Sequence, residues 1–217
     1  MSKDKSPIIL AFSGGLDTSF CVPWLKENYG RDVVTACVDT GGIDAEAAIA
    51  LEKRALALGA IEHVLIDARQ DFFDTVIRYL IAGNVLRGNA YPLCVGAERG
   101  LQASRLAAIA NERGASTVAH GCTAAGNDQV RFDVSLRTLN PGLEVLAPVR
   151  DNSWVRDEQL AYLNLPLERY DPTVRARIDR ATTRGEVYCL VLDHYPDCVA
   201  AVLRAVIDAE PGGVVIH

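Results

Sequence analysis

Short unbroken apolar runs alternate along this 217-residue chain with longer stretches in which apolar and polar positions interleave at helical spacing. Ile8-Ile9-Leu10-Ala11-Phe12 is apolar throughout and ends at Ser-Gly-Gly, the signature of a strand buried on both faces. Thr18 to Tyr29 reads as a helix, with Pro23 an interior residue that should kink it. Val33 to Val38 is a second buried strand, and Glu46 to Leu58 an Ala- and Leu-rich helix stopped by Gly59. His63 to Ile66, Ser116 to Ala119 and Leu143 to Ala147 complete the predicted strands of the first two thirds of the chain. Asp71 to Ile81 and Ala97 to Asn111 are its further helices.

Strands alternating with helices predict an α/β fold: a mostly parallel, twisted sheet with helices on both faces, Rossmann-like in layout. Ligands of such sheets sit beyond the carboxyl ends of the strands. Ser13 to Ser19, after the first strand, and Gly121 to Arg131, after the fourth, fall there. The texture changes near residue 150. Arg150 to Arg184 is charged and strand-poor, with Val155 to Leu163 a predicted helix. Its arginines Arg175, Arg177, Arg180 and Arg184 read as a solvated or interface face. Val187 to Leu192, Asp197 to Ile207 and Val214 to Ile216 read as a strand, a helix and a strand. The expected organisation is therefore a nucleotide-binding domain over 1–150 and a short, divergent C-terminal segment over 151–217.

Composition narrows the function classes. With 22 basic and 28 acidic residues the net charge is −6. Only Lys3, Lys5, Lys26 and Lys53 are lysines, and no polybasic block occurs, which disfavours a sequence-independent nucleic-acid or membrane-surface binder. No apolar run reaches the ~20 residues of a membrane span. The polar Met1 to Pro7 segment lacks the pattern of a signal peptide, so a cytoplasmic location is expected. The six cysteines are scattered without a CxxC pair. Cys21 and Cys37 sit among apolar residues and read as core thiols. His194 and Cys198, four apart, are too few to hold a metal.

The chemistry concentrates in two segments. Ser13-Gly14-Gly15-Leu16-Asp17-Thr18-Ser19 joins an apolar strand to a helix. Glycines there permit backbone angles and close approaches that bulkier residues forbid. The following helix offers unpaired N–H groups and the positive end of its dipole. Ser13, Thr18 and Ser19 add hydroxyls. The result is a phosphate cradle. It is neither a Walker loop nor a dinucleotide fingerprint, because the chain contains no Gly-Lys and no GxG. A tight turn that merely caps a helix is the plainer alternative.

SGGLDTS resembles the signature of the PP-loop ATP pyrophosphatases, which split ATP into AMP and pyrophosphate while adenylating a second substrate. That resemblance implies a PP-loop fold. It assigns ATP to Ala11, Phe12, Ser13, Gly14, Gly15, Leu16, Asp17, Thr18 and Ser19 and makes Asp17 a candidate to position magnesium. The second segment, Gly121-Cys122-Thr123-Ala124-Ala125-Gly126-Asn127-Asp128-Gln129-Val130-Arg131-Phe132, reads as a polar loop able to bind a zwitterion. Asp128 can take an ammonium, Thr123 and Asn127 can donate to a carboxylate, and Arg131 can grip one bidentately.

This segment closely resembles the GxTxxGNDQVRF stretch of the argininosuccinate synthases. The resemblance implies that Thr123, Asn127 and Asp128 bind aspartate, that Asn127 and Arg131 contact citrulline, and that Gly121 lies against the nucleotide. Tyr91-Pro92-Leu93-Cys94-Val95-Gly96-Ala97-Glu98-Arg99 is similar to the family's citrulline region, with Tyr91 and Arg99 in place and Gly96 where a serine is usual. Val38 matches the position beneath the adenine, where alanine is usual, and Ala125 stands where many members carry lysine. The resemblance covers about residues 7 to 150 and fades beyond. Members normally continue into a second domain that contacts citrulline and drives tetramer assembly, and its citrulline-binding segment has no counterpart in the tail.

The expected activity is therefore that of an ATP- and magnesium-dependent ligase joining citrulline and aspartate to argininosuccinate through citrullyl-AMP. No side-chain nucleophile is required, and a homo-oligomer is expected. The rival readings are a PP-loop enzyme that adenylates another acceptor and a nucleotide-binding or interaction module without turnover.

Overall fold

The computed structural model describes residues 5–88 and 91–163, which fall in one compact unit spanning Met1–Leu165. The predictions made for residues 164 onward lie outside the described residues.

Five strands form one parallel sheet in the order β3-β2-β1-β6-β7: β1 (Ile8–Ala11), β2 (Val33–Asp39), β3 (Glu62–Asp67), β6 (Thr117–Ala119) and β7 (Glu144–Leu146). The parallel α/β fold read from the sequence is thus present. β1 is central, which is why every residue from Ile8 to Leu10 is fully buried. Its side chains alternate between two cores, as period-2 geometry requires. Ile9 joins Val34, Ala36 and Val118 against helices α5 (Cys94–Glu112) and α6 (Asp128–Leu139). Ile8 and Leu10 join Val33 and Ala119 against α1 (Leu16–Tyr29) and α2 (Ala45–Ala57). Phe20, Val22 and Leu25 of α1 are completely buried, each contributing roughly 1.5–3 kcal/mol of apolar transfer. The helix runs unbroken through Pro23. Its far side carries an aromatic cluster with Trp154 and with Tyr162 of α8 (Arg156–Tyr162), their rings 4.9 and 5.1 Å from Phe20.

Two predicted elements change character. The helix expected over 71–81 consists of α3 (Arg69–Phe72), a π-helical turn (Phe73–Ile77) and α4 (Arg78–Ala82). The polar segment 121–131, read as a loop throughout, is a loop only to Asn127; Asp128 starts α6. The hairpin of β4 (Leu86–Arg87) and β5 (Tyr91–Pro92), and α7 (Pro148–Asp151), were not anticipated.

At the amino ends of the strands Arg31 is 7% exposed and ties three segments together. Its guanidinium donates to Ser6 O (2.7 Å), Pro7 O (3.3 Å), Thr117 Oγ1 (2.8 Å) and Ser116 Oγ (3.1 Å), and Thr117 in turn donates to the Glu144 carboxylate (3.0 Å). Removing a buried charge that serves several acceptors takes a donor from each of them. Arg31→Met keeps the apolar stem but not the fork, so it should cost about 2–4 kcal/mol. A urea midpoint unchanged from the parent protein would show that the clamp carries no stability.

Candidate active site

The carboxyl ends of β1, β2 and β6 open into a cavity of about 370 Å³, at the point where the sheet order turns outward in both directions from β1. Both sequence motifs line it. From the first come Ala11, Phe12, Ser13, Gly15, Asp17 and Thr18; from the second come Gly121, Cys122, Thr123, Ala125, Asp128 and Phe132. Val38 lines it from β2, and Arg99 and Gln102 from α5. Gly14, Leu16, Ser19, Asn127 and Arg131 are not among the residues that line it. The backbone of Tyr91 lies in β5, paired with Arg87.

The candidate phosphate cradle is closed by its own hydroxyls. Thr18 Oγ1 donates to Gly15 O (3.2 Å) and accepts from Ser13 N–H (3.4 Å), closing the loop onto the first turn of α1. Gly14 has φ +74°, a left-handed angle that a side chain would strain, and a Cβ there would run into Leu51 Cδ2. The carbonyl of Gly14 accepts from Ser19 Oγ (3.4 Å) and from the guanidinium of Arg54 on α2. Arg54 therefore brings a positive charge to a loop that has no lysine, a long-range contact invisible in the local motif.

Gly121 is where the two motifs touch. A Cβ on it would lie 3.0 Å from Thr18 N and Cγ2 and 3.1 Å from the Asp17 carbonyl carbon. Only a glycine lets the second loop come so close to the start of α1.

Of the candidate substrate residues, Asp128 is ion-paired with both Arg99 and Arg131. Asp128 accepts from Arg131 Nη1 (2.8 Å) and lies 3.3 Å from Arg99 Nε. Arg99 also donates to Glu98 (2.6 Å) and Gln102 (3.0 Å), and Thr40 donates to Glu98 (3.2 Å). Gly96 leaves the room that Arg131 uses: a Cβ there would meet its guanidinium at 3.2–3.5 Å. Asn127 is the residue that precedes α6, and its side chain makes no capping hydrogen bond.

His120, at the exit of β6, lines the cavity and was absent from the sequence reading. Burial holds its imidazole below the ordinary 6.5, outweighing the pull of Asp133. Burial also pushes the Cys122 thiol up to about 11, with Asp128 adding to the effect, and the Cys37 thiol up to about 11. Neither thiol is a nucleophile at neutral pH. Among the described residues no group of three or more His, Cys, Asp or Glu could hold a metal ion. No helix among them is long and apolar enough to cross a membrane.

The family model described as arginosuccinate synthase N-terminal HUP domain matches residues 7–165. Argininosuccinate synthases of Staphylococcus aureus strains JH9 and Newman are 46% identical over 167 residues, covering 75% of this chain and 41% of each relative. The chain thus spans about two fifths of the length of the curated relatives it matches. A crystal structure of a predicted subunit of tRNA methyltransferase from Methanocaldococcus jannaschii superposes with a TM-score of 0.46 at 18% identity, covering 73% of each chain.

Proposed function

This chain belongs to the argininosuccinate synthase family, and on that premise we propose that its cavity binds ATP and serves the joining of citrulline to aspartate through citrullyl-AMP. One observation carries the reading: both motifs line a single cavity and approach so closely at Gly121 and Thr18 that a Cβ on Gly121 would crowd the start of α1. The phosphates rest on Ser13 to Ser19, where the N–H groups of α1, three hydroxyls and the nearby Arg54 favour negative charge. The base lies towards Phe12 and Val38.

The ureido oxygen of citrulline attacks the α-phosphorus and expels pyrophosphate. The amine of aspartate then attacks the ureido carbon and displaces AMP. Thr123, Asn127 and Asp128 hold aspartate; Tyr91, Arg99, Asn127 and Arg131 hold citrulline. No side chain forms a covalent bond, so rate comes from positioning and charge stabilisation. The high pKa values of Cys37 and Cys122, the thiols in the cavity lining, support that reading. Magnesium bound with the nucleotide would screen its phosphates, and Asp17 in the cavity lining is the residue that would help to hold it.

The same proposal keeps 1–150 as the nucleotide-binding domain and 151–217 as a short C-terminal segment, and it places the protein in the cytoplasm as a homo-oligomer. Exposed apolar residues on and beside α4 and the β4–β5 hairpin, Tyr79, Ile81, Val85 and Leu86, support self-association. A second reading, adenylation of a different acceptor, is favoured by Gly96, which supplies no hydroxyl.

Phosphorus NMR of the chain with magnesium-ATP decides between them. AMP and pyrophosphate formed only when citrulline and aspartate are both present support the synthase. Release with another ureido or carboxyl compound and none with citrulline supports the second reading. Bound ATP without turnover leaves a nucleotide-binding module.

A further inference from the structure

Behind the second loop lies a polar network that the proposed reaction does not use. His120 is 1% exposed and stacks on Phe132, their centroids 5.5 Å apart. Its Nδ1 accepts from Cys122 N–H (3.3 Å), so the neutral ring carries its proton on Nε2 and donates it to Asp133 Oδ1 (2.9 Å). The other oxygen of Asp133 accepts from Arg150 Nη1 (3.0 Å). Arg150 also donates to Gln129 Oε1 (3.4 Å), and Gln129 Nε2 donates to Ala124 O (2.8 Å). The network therefore leaves the loop at one backbone group and returns to it two residues later. Between those two attachments sits Thr123, which lines the cavity.

We propose that His120 and Gln129 are positioning residues which, braced by Asp133 and Arg150, grip the loop at Cys122 N–H and Ala124 C=O and so aim Thr123 into the cavity. The two contacts are complementary. One fixes a donor, the other an acceptor, and together they define the peptide planes on either side of Thr123. That Thr123 then serves aspartate rests on the function proposed above; that the loop is gripped does not.

The grip is sensitive to protonation. Addition of a proton at Nδ1 turns the acceptor into a donor facing the Cys122 N–H. The charged groups acting on the ring are Asp133 of α6 and Arg150 and Asp151 of α7. Burial keeps the ring neutral at pH 7 despite the two carboxylates. The loop is held at neutral pH and released as the pH falls through the lowered His120 titration.

The test uses nitrogen-15-labelled full chain. Imidazole spectra should show Nδ1 unprotonated at pH 7 and a titration below 6.5; an unprotonated Nε2, or a midpoint at or above 6.5, overturns the proposal. Two variants separate the contacts. His120→Asn keeps an acceptor near the Nδ1 position, whereas His120→Gln keeps the reach towards Asp133 and loses that acceptor. Amide exchange at Cys122 and Thr123 should quicken at least 10-fold in His120→Gln and less than 3-fold in His120→Asn, with Ile9 and Val118 of the sheet unchanged in both. Equal effects in the two variants overturn it.

Aspartate affinity, measured by calorimetry with citrulline and a non-hydrolysable magnesium-ATP analogue present, should fall about 10-fold in His120→Gln with nucleotide affinity within 2-fold. Faster exchange with unchanged aspartate affinity overturns the aiming of Thr123. If the parent chain binds no aspartate, the function proposed above fails, and the exchange comparison alone decides whether the loop is gripped.

Discussion

Asp128→Ala should lower aspartate affinity about 100-fold while leaving nucleotide affinity within about 3-fold, corresponding to ~2.7 kcal/mol. The magnitude follows from the chemistry of the pair. A carboxylate facing an ammonium in a partly enclosed site makes a charge-assisted hydrogen bond, and such bonds contribute about 1.5–3 kcal/mol. The selectivity follows from geometry. Asp128 is the first residue of α6 and lines the cavity on the α5–α6 side, whereas the phosphate cradle is closed by Ser13, Gly15 and Thr18. The substitution also frees Arg131 and Arg99 from the carboxylate that now lies 2.8 and 3.3 Å away. Citrulline affinity should then stay level or improve, since its carboxylate no longer competes with an internal one. Asp128→Asn keeps the shape and loses the charge, so it should resemble Asp128→Ala for aspartate. Separate calorimetric titrations with aspartate, with citrulline and with a magnesium-ATP analogue measure all three affinities. Aspartate affinity equal to that of the parent chain would remove Asp128 from the aspartate site.

The parts of the fold that were legible in the sequence are those whose signal is local. Ile8 to Leu10 announces a central strand because three consecutive residues are fully buried, and nothing but sheet position β1 demands that. The Ser13 to Ser19 cradle is legible because its hydrogen bonds join residues at most five apart. α6 was hidden for a physical reason. Only Phe132 and Leu136 are buried along it, while Val130 and Val134 are 54% and 58% exposed, so the apolar spacing does not mark one face. Its first turn also carries Asp128 and Arg131, which the binding motif claims. His120 was missed because its partners Asp133 and Arg150 are 13 and 30 residues away and converge only when α6 and α7 pack beside β6. Arg54 escaped in the same way, since its contact with Gly14 spans 40 residues. Gly96 was read as a lost hydroxyl; the structure adds that its missing side chain is the space into which Arg131 fits.

Gly121→Ala tests whether the two motifs work as one site. The added methyl would have to lie 3.0 Å from Thr18 N and Cγ2 and 3.1 Å from the Asp17 carbonyl carbon. Two of those three atoms are backbone, fixed by the first turn of α1, and cannot swing aside as a long side chain could. Either the phosphate loop or the second loop must shift. Overpacking of this kind costs about 1–3 kcal/mol. If the strain is relieved by moving Asp17 and Thr18, it falls on nucleotide binding, and ATP affinity should drop ~30-fold, near the middle of that range. If it is relieved by moving Cys122 and Thr123, aspartate affinity should drop instead. A loss in both ligands means that the loops move together. Gly100→Ala is the matched control, because that glycine lies within α5 and nothing stands within 4 Å of its would-be Cβ. It should leave both affinities unchanged and stabilise the helix by about 0.5–1 kcal/mol. Calorimetry with the magnesium-ATP analogue, alone and after aspartate and citrulline, distinguishes these outcomes. Two affinities equal to those of the control would mean that the loops accommodate the methyl, and that their contact at Gly121 does not couple the nucleotide to the amino-acid side of the cavity.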